Sequence, residues 1–106
     1  MKDKPNIRVE LTGFRDEDDS VVEMVNSIIS KHLNRIAEVE HKCDWLRVTM
    51  KRVHEREKSE IYEVHAHLHS PGHTYSSVCV ERNLMAAVDS VIEKAISEVQ
   101  HRNHKN

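Results

Sequence analysis

The stretch from residue 63 to residue 93 constrains the fold more than any other part of the chain. It reads EVHAHLHS, then PG, then HTYSSVCVE, then RNLMAAVDSVIE. Before the Pro-Gly pair, apolar residues alternate with histidines, and this period of two predicts a half-buried strand. Proline fixes a negative φ and glycine tolerates a positive one, so Pro71-Gly72 predicts a type II turn. The stretch therefore predicts a β-hairpin that leads into a helix.

The helix is predicted to begin after Asn83, a residue type that caps helix N-termini. Its apolar residues recur at three- and four-residue spacing, which predicts one buried stripe. These residues are Leu84, Val88, Val91, Ile92, Ala95, Ile96 and Val99. We expect the stripe to cover the hairpin and the polar tail from Gln100 to fray. In the strand before it, alternation alone leaves open whether Val78 and Val80 or Tyr75 and Cys79 face the core.

Two more strands and one more helix are predicted ahead of the hairpin. Alternating apolar residues predict strands over residues 6–14 and 44–53. Between them, an acidic run precedes Ser20 and Glu23, which have the spacing of a capping box. A helix is expected from there to residue 37, with His32 on or beside its apolar stripe as a partly buried structural histidine. Segment 54–59 is expected to be a solvated hairpin loop.

The predicted order of elements is β-α-β-β-β-α in a single domain spanning residues 1–106, with an ordered core over residues 5–100. The helix between the first two strands implies a parallel pair joined by a right-handed crossover, and the short later connections imply an antiparallel meander. The apolar stripe of each helix must be buried against another element of the fold. We therefore expect an α+β two-layer sandwich, in which two helices pack on one face of a four-stranded sheet.

Composition narrows the classes of protein to consider. The 106 residues suit one domain with a modest core, and no run of 18 apolar residues predicts a membrane span. The amino terminus lacks the apolar stretch of a signal peptide. Cys43 and Cys79 form no CxxC motif, which favours a cytoplasmic protein with reduced thiols, and Cys43 is expected to be exposed in a loop. The net charge of −2 means that nucleic-acid binding would need a local basic patch.

With this order of elements, the segment from Glu63 to Lys94 resembles the ribosome hibernation-promoting family, also called ribosome-associated inhibitor A or sigma-factor-modulation proteins. The resemblance places Ser77 and Cys79 toward the helices. Asn83 stands where the family commonly has aspartate. The residues that carry the resemblance are Pro71-Gly72, Asn83, Leu84-Met85, Ala86-Ala87, Val88, Asp89 and Lys94.

The resemblance implies a non-enzymatic protein that binds the small ribosomal subunit in the channel used by messenger and transfer RNA. Such a protein inhibits translation and protects or dimerises resting ribosomes. The resemblance implies no cofactor and no membrane, and it leaves self-association open. It also implies contacts to ribosomal RNA from basic residues on the exposed faces and ends of the two helices. By position these are Lys31, Arg35, Lys94, Arg102 and Lys105. The basic tract at the end of the second helix is thinner than is usual in the family.

The sheet face away from the helices offers a second surface for RNA. Arg47 and Lys51 would lie there beside the strand histidines, and Trp45 and Tyr75 would supply rings for base stacking if they point outward. The same alternation describes any solvated sheet face.

The nine histidines suggest an alternative, metal-dependent function. His65, His67 and His69 share one strand face at intervals of about 6.7 Å, so they diverge and would need a ligand from a neighbouring strand. This alternative is a regulatory or self-associating module of the same fold that does not bind ribosomes and responds to metal through these histidines. No Gly-rich phosphate loop, HExxH motif or nucleophile elbow predicts an enzyme.

Overall fold

The computed structural model describes residues 5–54 and 60–103 and has the predicted order of elements. None of the helices in this described part is long and apolar enough to cross a membrane. Residues 55–59, within the predicted hairpin loop, and residues 104–106 lie outside the described ranges. The elements are β1 (Arg8–Thr12), α1 (Asp19–Val39), β2 (Trp45–His54), β3 (Glu60–Ser70), β4 (His73–Glu81) and α2 (Leu84–Asn103).

The strands form one sheet in the order β1-β2-β3-β4. β1 and β2 are parallel, and the β2–β3 and β3–β4 pairs are antiparallel, as the lengths of the connections predicted. The register sets Trp45 opposite His69 and Arg47 opposite His67. Since side chains alternate along each strand, this register sorts them onto two faces.

One face of the sheet forms the core with both helices. From β2 and β3 it contributes Leu46, Val48, Met50, Val64, Ala66 and Leu68, which are all buried. Val25, Ile29 and Ile36 of α1 and the whole predicted stripe of α2 pack against it. The opposite side, which we call the open face, carries residues from all four strands. They are Arg8, Glu10 and Thr12 of β1, Trp45, Arg47, Thr49 and Lys51 of β2, Glu63, His65, His67 and His69 of β3, and Thr74, Ser76, Val78 and Val80 of β4. The fold is the expected two-layer α+β sandwich.

The orientation of β4 follows the family resemblance. Tyr75 and Cys79 are 6% and 9% exposed, whereas Val78 and Val80 are 43% and 56% exposed. Ser77 lies on the helix side, where its hydroxyl donates a 2.8 Å hydrogen bond to the carbonyl of Val91. A polar residue is therefore accommodated under α2 because a backbone acceptor is within reach. Tyr75 consequently does not belong to the open face.

The ends of the helices depart from the sequence prediction. α1 begins at Asp19 after the N-cap residue Asp18, so Ser20 lies inside the helix and the capping box is wrong. The amides of Val21 and Val22 donate to the Asp18 carbonyl, which fixes the earlier start. α1 also continues past residue 37, to Val39.

α2 continues through the segment that was expected to fray. It ends at Asn103, whose side-chain amide donates a 2.9 Å hydrogen bond to the carbonyl of Val39. Val39 is the last residue of α1, and carbonyls in the last turn of a helix lack intrahelical partners. The contact between the two helix ends therefore accounts for the additional turn.

Candidate nucleic-acid interface

The structure exposes the basic residues that the family resemblance singled out, as far as it describes them. Lys31 and Arg35 are exposed on α1, and Lys94 and Arg102 are exposed on α2. Lys105 lies outside the described residues. Their exposure makes the four described cations available to a phosphate backbone, which needs only lysine or arginine on an accessible surface.

Three of these cations line three different depressions along α2. Arg35 lines a cavity of about 320 Å³ between the two helices, together with Glu93. Lys94 lines a depression beside β4 with Glu93 and Glu98, and Arg102 lines another with Glu98. Carboxylates therefore accompany each of these three cations.

The charge pattern of α2 explains why no dense basic patch forms there. Lys94, Glu98 and Arg102 follow one another at four-residue spacing, which places an acidic side chain between two basic ones on the same helix face. α2 carries three acidic residues, Asp89, Glu93 and Glu98, against one lysine and one arginine, Lys94 and Arg102. The helix surface thus offers separate cations and only a modest positive field.

Lys94 has a second role in the structure. Its ammonium donates a 3.0 Å hydrogen bond to the carbonyl of Val78 in β4, the last strand of the sheet. Unpaired carbonyls on an edge strand can recruit a strand from another molecule, and a lysine on the edge discourages this. Changing Lys94 would therefore affect the sheet edge as well as the charge of the helix.

The open face carries the only tryptophan of the chain. The rings of Trp45 and His69 are stacked, with centroids 4.8 Å apart and planes inclined by 3°. The guanidinium of Arg47 lies 4.9 Å from the Trp45 ring centroid, and its Nε and Nη2 both donate to one carboxylate oxygen of Glu10. The indole is thus already in contact with protein groups, which leaves less of its surface for a nucleic-acid base.

The three strand histidines have different partners. His65 pairs with Glu63 at 2.8 Å, His67 bonds the hydroxyl of Ser76 at 2.9 Å, and His69 pairs with Asp44 at 2.7 Å. The neighbouring rings of His65 and His67 have centroids 6.3 Å apart. The structure therefore does not direct these imidazoles toward one shared point.

These pairs perturb the titration of the open face. Hydrogen bonds from His69 and His65 hold the pKa values of Asp44 and Glu63 below those of ordinary carboxyl groups. Burial lowers the pKa of His67, and the nearby positive charges of His65 and Arg47 lower it further. The middle histidine of the strand is therefore held toward its neutral form.

Cys43 is not the exposed thiol that its loop position predicted. It is 7% exposed, and its sulfur lies 3.6 Å from the carbonyl oxygen of Trp45. Its amide donates to the carbonyl of Glu40, in a turn that directs the side chain inward. Burial, reinforced by the charges of Asp44 and Glu40, raises the pKa of the Cys43 thiol to about 11. A protonated, buried thiol is a poor nucleophile.

The sequence did not predict the contact between His32 and Asp89. Nε2 of His32 lies 2.8 Å from Oδ1 of Asp89, and the imidazole is largely buried, with a side chain 12% exposed. The partly buried position of His32 was predicted from the apolar stripe of α1. Its partner was not, since the two residues are 57 positions apart and only the packing of α1 on α2 brings them together.

No protein-family model and no curated protein matches the sequence. Solved structures do match. A ribosomal subunit interface protein from Coxiella burnetii has a TM-score of 0.64 and 16% identity, over 93% of this chain and 98% of that one. The N-terminal domain of Thermus thermophilus Protein Y has a TM-score of 0.59 and 14% identity, over 92% of this chain and 98% of that one. The resemblance found in the sequence is confirmed as a likeness of fold: the chain has the fold of these two proteins, the first of which is a ribosomal subunit interface protein.

Proposed function

We propose that this chain is a non-enzymatic, ribosome-associated protein that binds RNA of the small ribosomal subunit and inhibits translation by resting ribosomes. The observation that carries the proposal is the likeness of fold to a ribosomal subunit interface protein along 93% of the chain. The Pro71-Gly72 hairpin and the opening of α2 at Asn83 add a sequence resemblance to the same family. A cytoplasmic location follows from this function.

The proposed contacts are electrostatic. Lys31 and Arg35 on α1, with Lys94 and Arg102 on α2, would contact RNA phosphates, and Lys105 would add a fifth contact from beyond the described residues. Neutralising phosphates releases counterions, so the affinity should fall steeply with salt. Since carboxylates lie among these cations, we expect few phosphate contacts and strong binding only at low ionic strength.

Co-sedimentation with purified small ribosomal subunits tests the proposal. The chain should sediment with the subunit at about 50 mM salt and be largely released at several times that concentration. In a cell-free translation reaction, the same chain should lower protein synthesis. Absence of co-sedimentation at low salt would contradict the ribosomal function. It would favour the alternative, a regulatory or self-associating module of the same fold.

A charge-matched pair of variants tests which face binds. Lys31→Glu combined with Arg102→Glu removes two exposed cations from the helices. Arg8→Glu combined with Lys51→Glu removes two exposed cations from β1 and β2 on the open face. Both variants change the net charge equally, so a general charge effect would weaken both. We expect the helix variant to lose roughly tenfold or more in affinity and the open-face variant to change little. The reverse result would assign the RNA contact to the open face.

A further inference from the structure

We propose that His32, Asp89 and Glu93 form a binding site for one divalent transition-metal ion, best matched by zinc, that joins α1 to α2. Asp89 and Glu93 are four residues apart, so they project from the same side of α2. His32 comes from the neighbouring helix. Among the described residues, one ligand atom of each of these three side chains lies within 4.8 Å of the others.

The distances suit a metal ion after small side-chain rotations. Nε2 of His32 is 2.8 Å from Oδ1 of Asp89, and no pair of ligand atoms in the group is more than 4.8 Å apart. Zinc lies about 2.1 Å from nitrogen and oxygen ligands, so two ligands of a tetrahedral ion are about 3.4 Å apart. The His32–Asp89 separation of 2.8 Å is shorter than that value, and the remaining separations are at most 4.8 Å. Small rotations of the three side chains, chiefly of the exposed Glu93 carboxylate toward the His32–Asp89 pair, would bring the ligand atoms to the separation of a tetrahedral site.

The donor set selects the class of ion. Calcium and magnesium prefer sites made wholly of oxygen ligands, whereas an imidazole with carboxylates suits zinc and its neighbours in the first transition series. Two carboxylates and a neutral imidazole carry a charge of −2, which a divalent cation balances. The partial burial of His32, whose side chain is 12% exposed, also limits the motion of one ligand before the ion arrives.

The surroundings leave room to complete the coordination. His32 and Glu93 both line the cavity of about 320 Å³ between the helices, where Ser97 and Gln100 also contribute polar groups. Water in this cavity can supply the fourth ligand of a tetrahedral ion. Arg35 lines the same cavity, and its positive charge opposes that of the ion. This cation provides a test in the opposite direction, since its removal should tighten binding.

The experiment is zinc titration of the full chain, by calorimetry and by thermal unfolding. The wild-type chain should bind one zinc ion with a measurable affinity and unfold at a higher temperature when zinc is present, because an ion that binds the folded state stabilises it. Glu93→Gln should weaken binding roughly tenfold or more, and His32→Gln should remove the thermal shift. Arg35→Gln should strengthen binding severalfold.

Two controls separate this site from general binding by surface histidines and acids. Glu98→Gln removes an exposed carboxylate from the same helix outside the group, and the double variant His65→Gln with His67→Gln removes strand histidines. Both should bind zinc like the wild type. The proposal is overturned if the wild type does not bind one ion, if Glu93→Gln binds like the wild type, or if the loss occurs in the strand variant. Glu93 is exposed, so its variant keeps the test decisive even where His32→Gln fails to fold.

Discussion

Gly13 and Gly72 both have positive φ, at 89° and 88°, but their surroundings differ. A Cβ built on Gly13 would lie 2.1 Å from the carbonyl oxygen of Met50, whereas a Cβ on Gly72 would meet no atom within 4 Å. Glycine at position 72 is therefore required only by the positive φ of the hairpin turn. Gly13, just after β1, also allows the chain to pass close to the backbone of β2.

The two glycines should therefore respond differently to alanine. Gly72→Ala should cost ~1–2 kcal/mol of unfolding free energy, which is the strain of a left-handed conformation on a residue with a Cβ. Gly13→Ala adds a clash with a backbone atom that cannot move aside freely, so its cost should be at least ~3 kcal/mol. Chemical denaturation of both variants measures the difference. Equal costs would show that the close approach at Met50 relaxes without penalty.

The sequence could predict the role of one of these glycines and not of the other. Pro71 stands directly before Gly72, so the local sequence specifies the turn type. Glycine is required at position 13 because the backbone of Met50, in another strand, lies close to it. The residues next to Gly13 in the sequence do not reveal that contact. The same limit applies to the candidate metal group, since the sequence places Asp89 and Glu93 on one side of a helix but does not show that His32 faces them.

Among the helix ends, the N-terminus of α2 has the capping contact that the sequence predicted. The side-chain oxygen of Asn83 accepts a 2.9 Å hydrogen bond from the amide of Ala86. In α1, by contrast, no side-chain capping bond is present at Asp18, and Ser20 is within the first turn. Two residue types that commonly cap helices thus have different roles in the two helices.

Alanine substitutions should reveal this difference. Asn83→Ala removes an acceptor from an otherwise unpaired amide and should lower the unfolding free energy by ~1 kcal/mol. Ser20→Ala should be neutral or slightly stabilising, because alanine is the better helix former within a helix. Thermal or chemical unfolding of the two variants provides the measurement. A larger loss from Ser20→Ala would restore the capping box that the structure excludes.

Periodicity predicted the six elements but not all of their boundaries and faces. The apolar stripe of α2 appeared in full, because a helix packed on a sheet needs one continuous buried side. The orientation of β4 required the family resemblance, since Val78 and Val80 are as apolar as the residues that are buried. The end of α2 depends on the bond from Asn103 to Val39, which joins positions 64 residues apart. Contacts of this kind are decided by tertiary packing and leave no local signal.

The whole molecule has two chemically different sides. The helix side presents separate cations among carboxylates, and the open face presents three histidines, of which His65 and His69 are paired with acids. The four site residues that lie in the described part of the chain, Lys31, Arg35, Lys94 and Arg102, are exposed, as expected. Acidic side chains share the surface depressions that Arg35, Lys94 and Arg102 line. The family resemblance therefore indicated exposed cations, but it did not indicate how far neighbouring carboxylates weaken the positive field around them.

The lowered pKa of His67 should make global stability depend on pH. The unfolded chain takes up a proton at this position at a higher pH than the folded chain does, so acidification favours unfolding. The unfolding free energy should therefore fall as the pH drops through about 6.5, the ordinary value for histidine. Denaturation at about pH 7.5 and about pH 5.5 measures this change. His67→Gln should reduce the dependence, and an unchanged dependence would contradict the assignment.

The carboxylates that pair with the open-face histidines affect the unfolding free energy in a lower range of pH. The pKa values of Asp44 and Glu63 are lowered in the folded chain, so their contribution is present above the ordinary carboxyl values. It is lost as the pH falls below about 4. Acidification to about pH 5.5 leaves this contribution in place. Because the two pH ranges do not overlap, the effect of His67 on the unfolding free energy can be measured separately from that of Asp44 and Glu63.

The stacking of Trp45 on His69 gives the molecule an intrinsic fluorescent reporter. Because this indole is the only one in the chain, its emission comes from a single environment, on the side of the sheet away from both helices. A ligand that docks on that side should alter the emission directly, whereas one that docks on the helices leaves the fluorophore untouched. Unlabelled protein can therefore show which side a partner occupies.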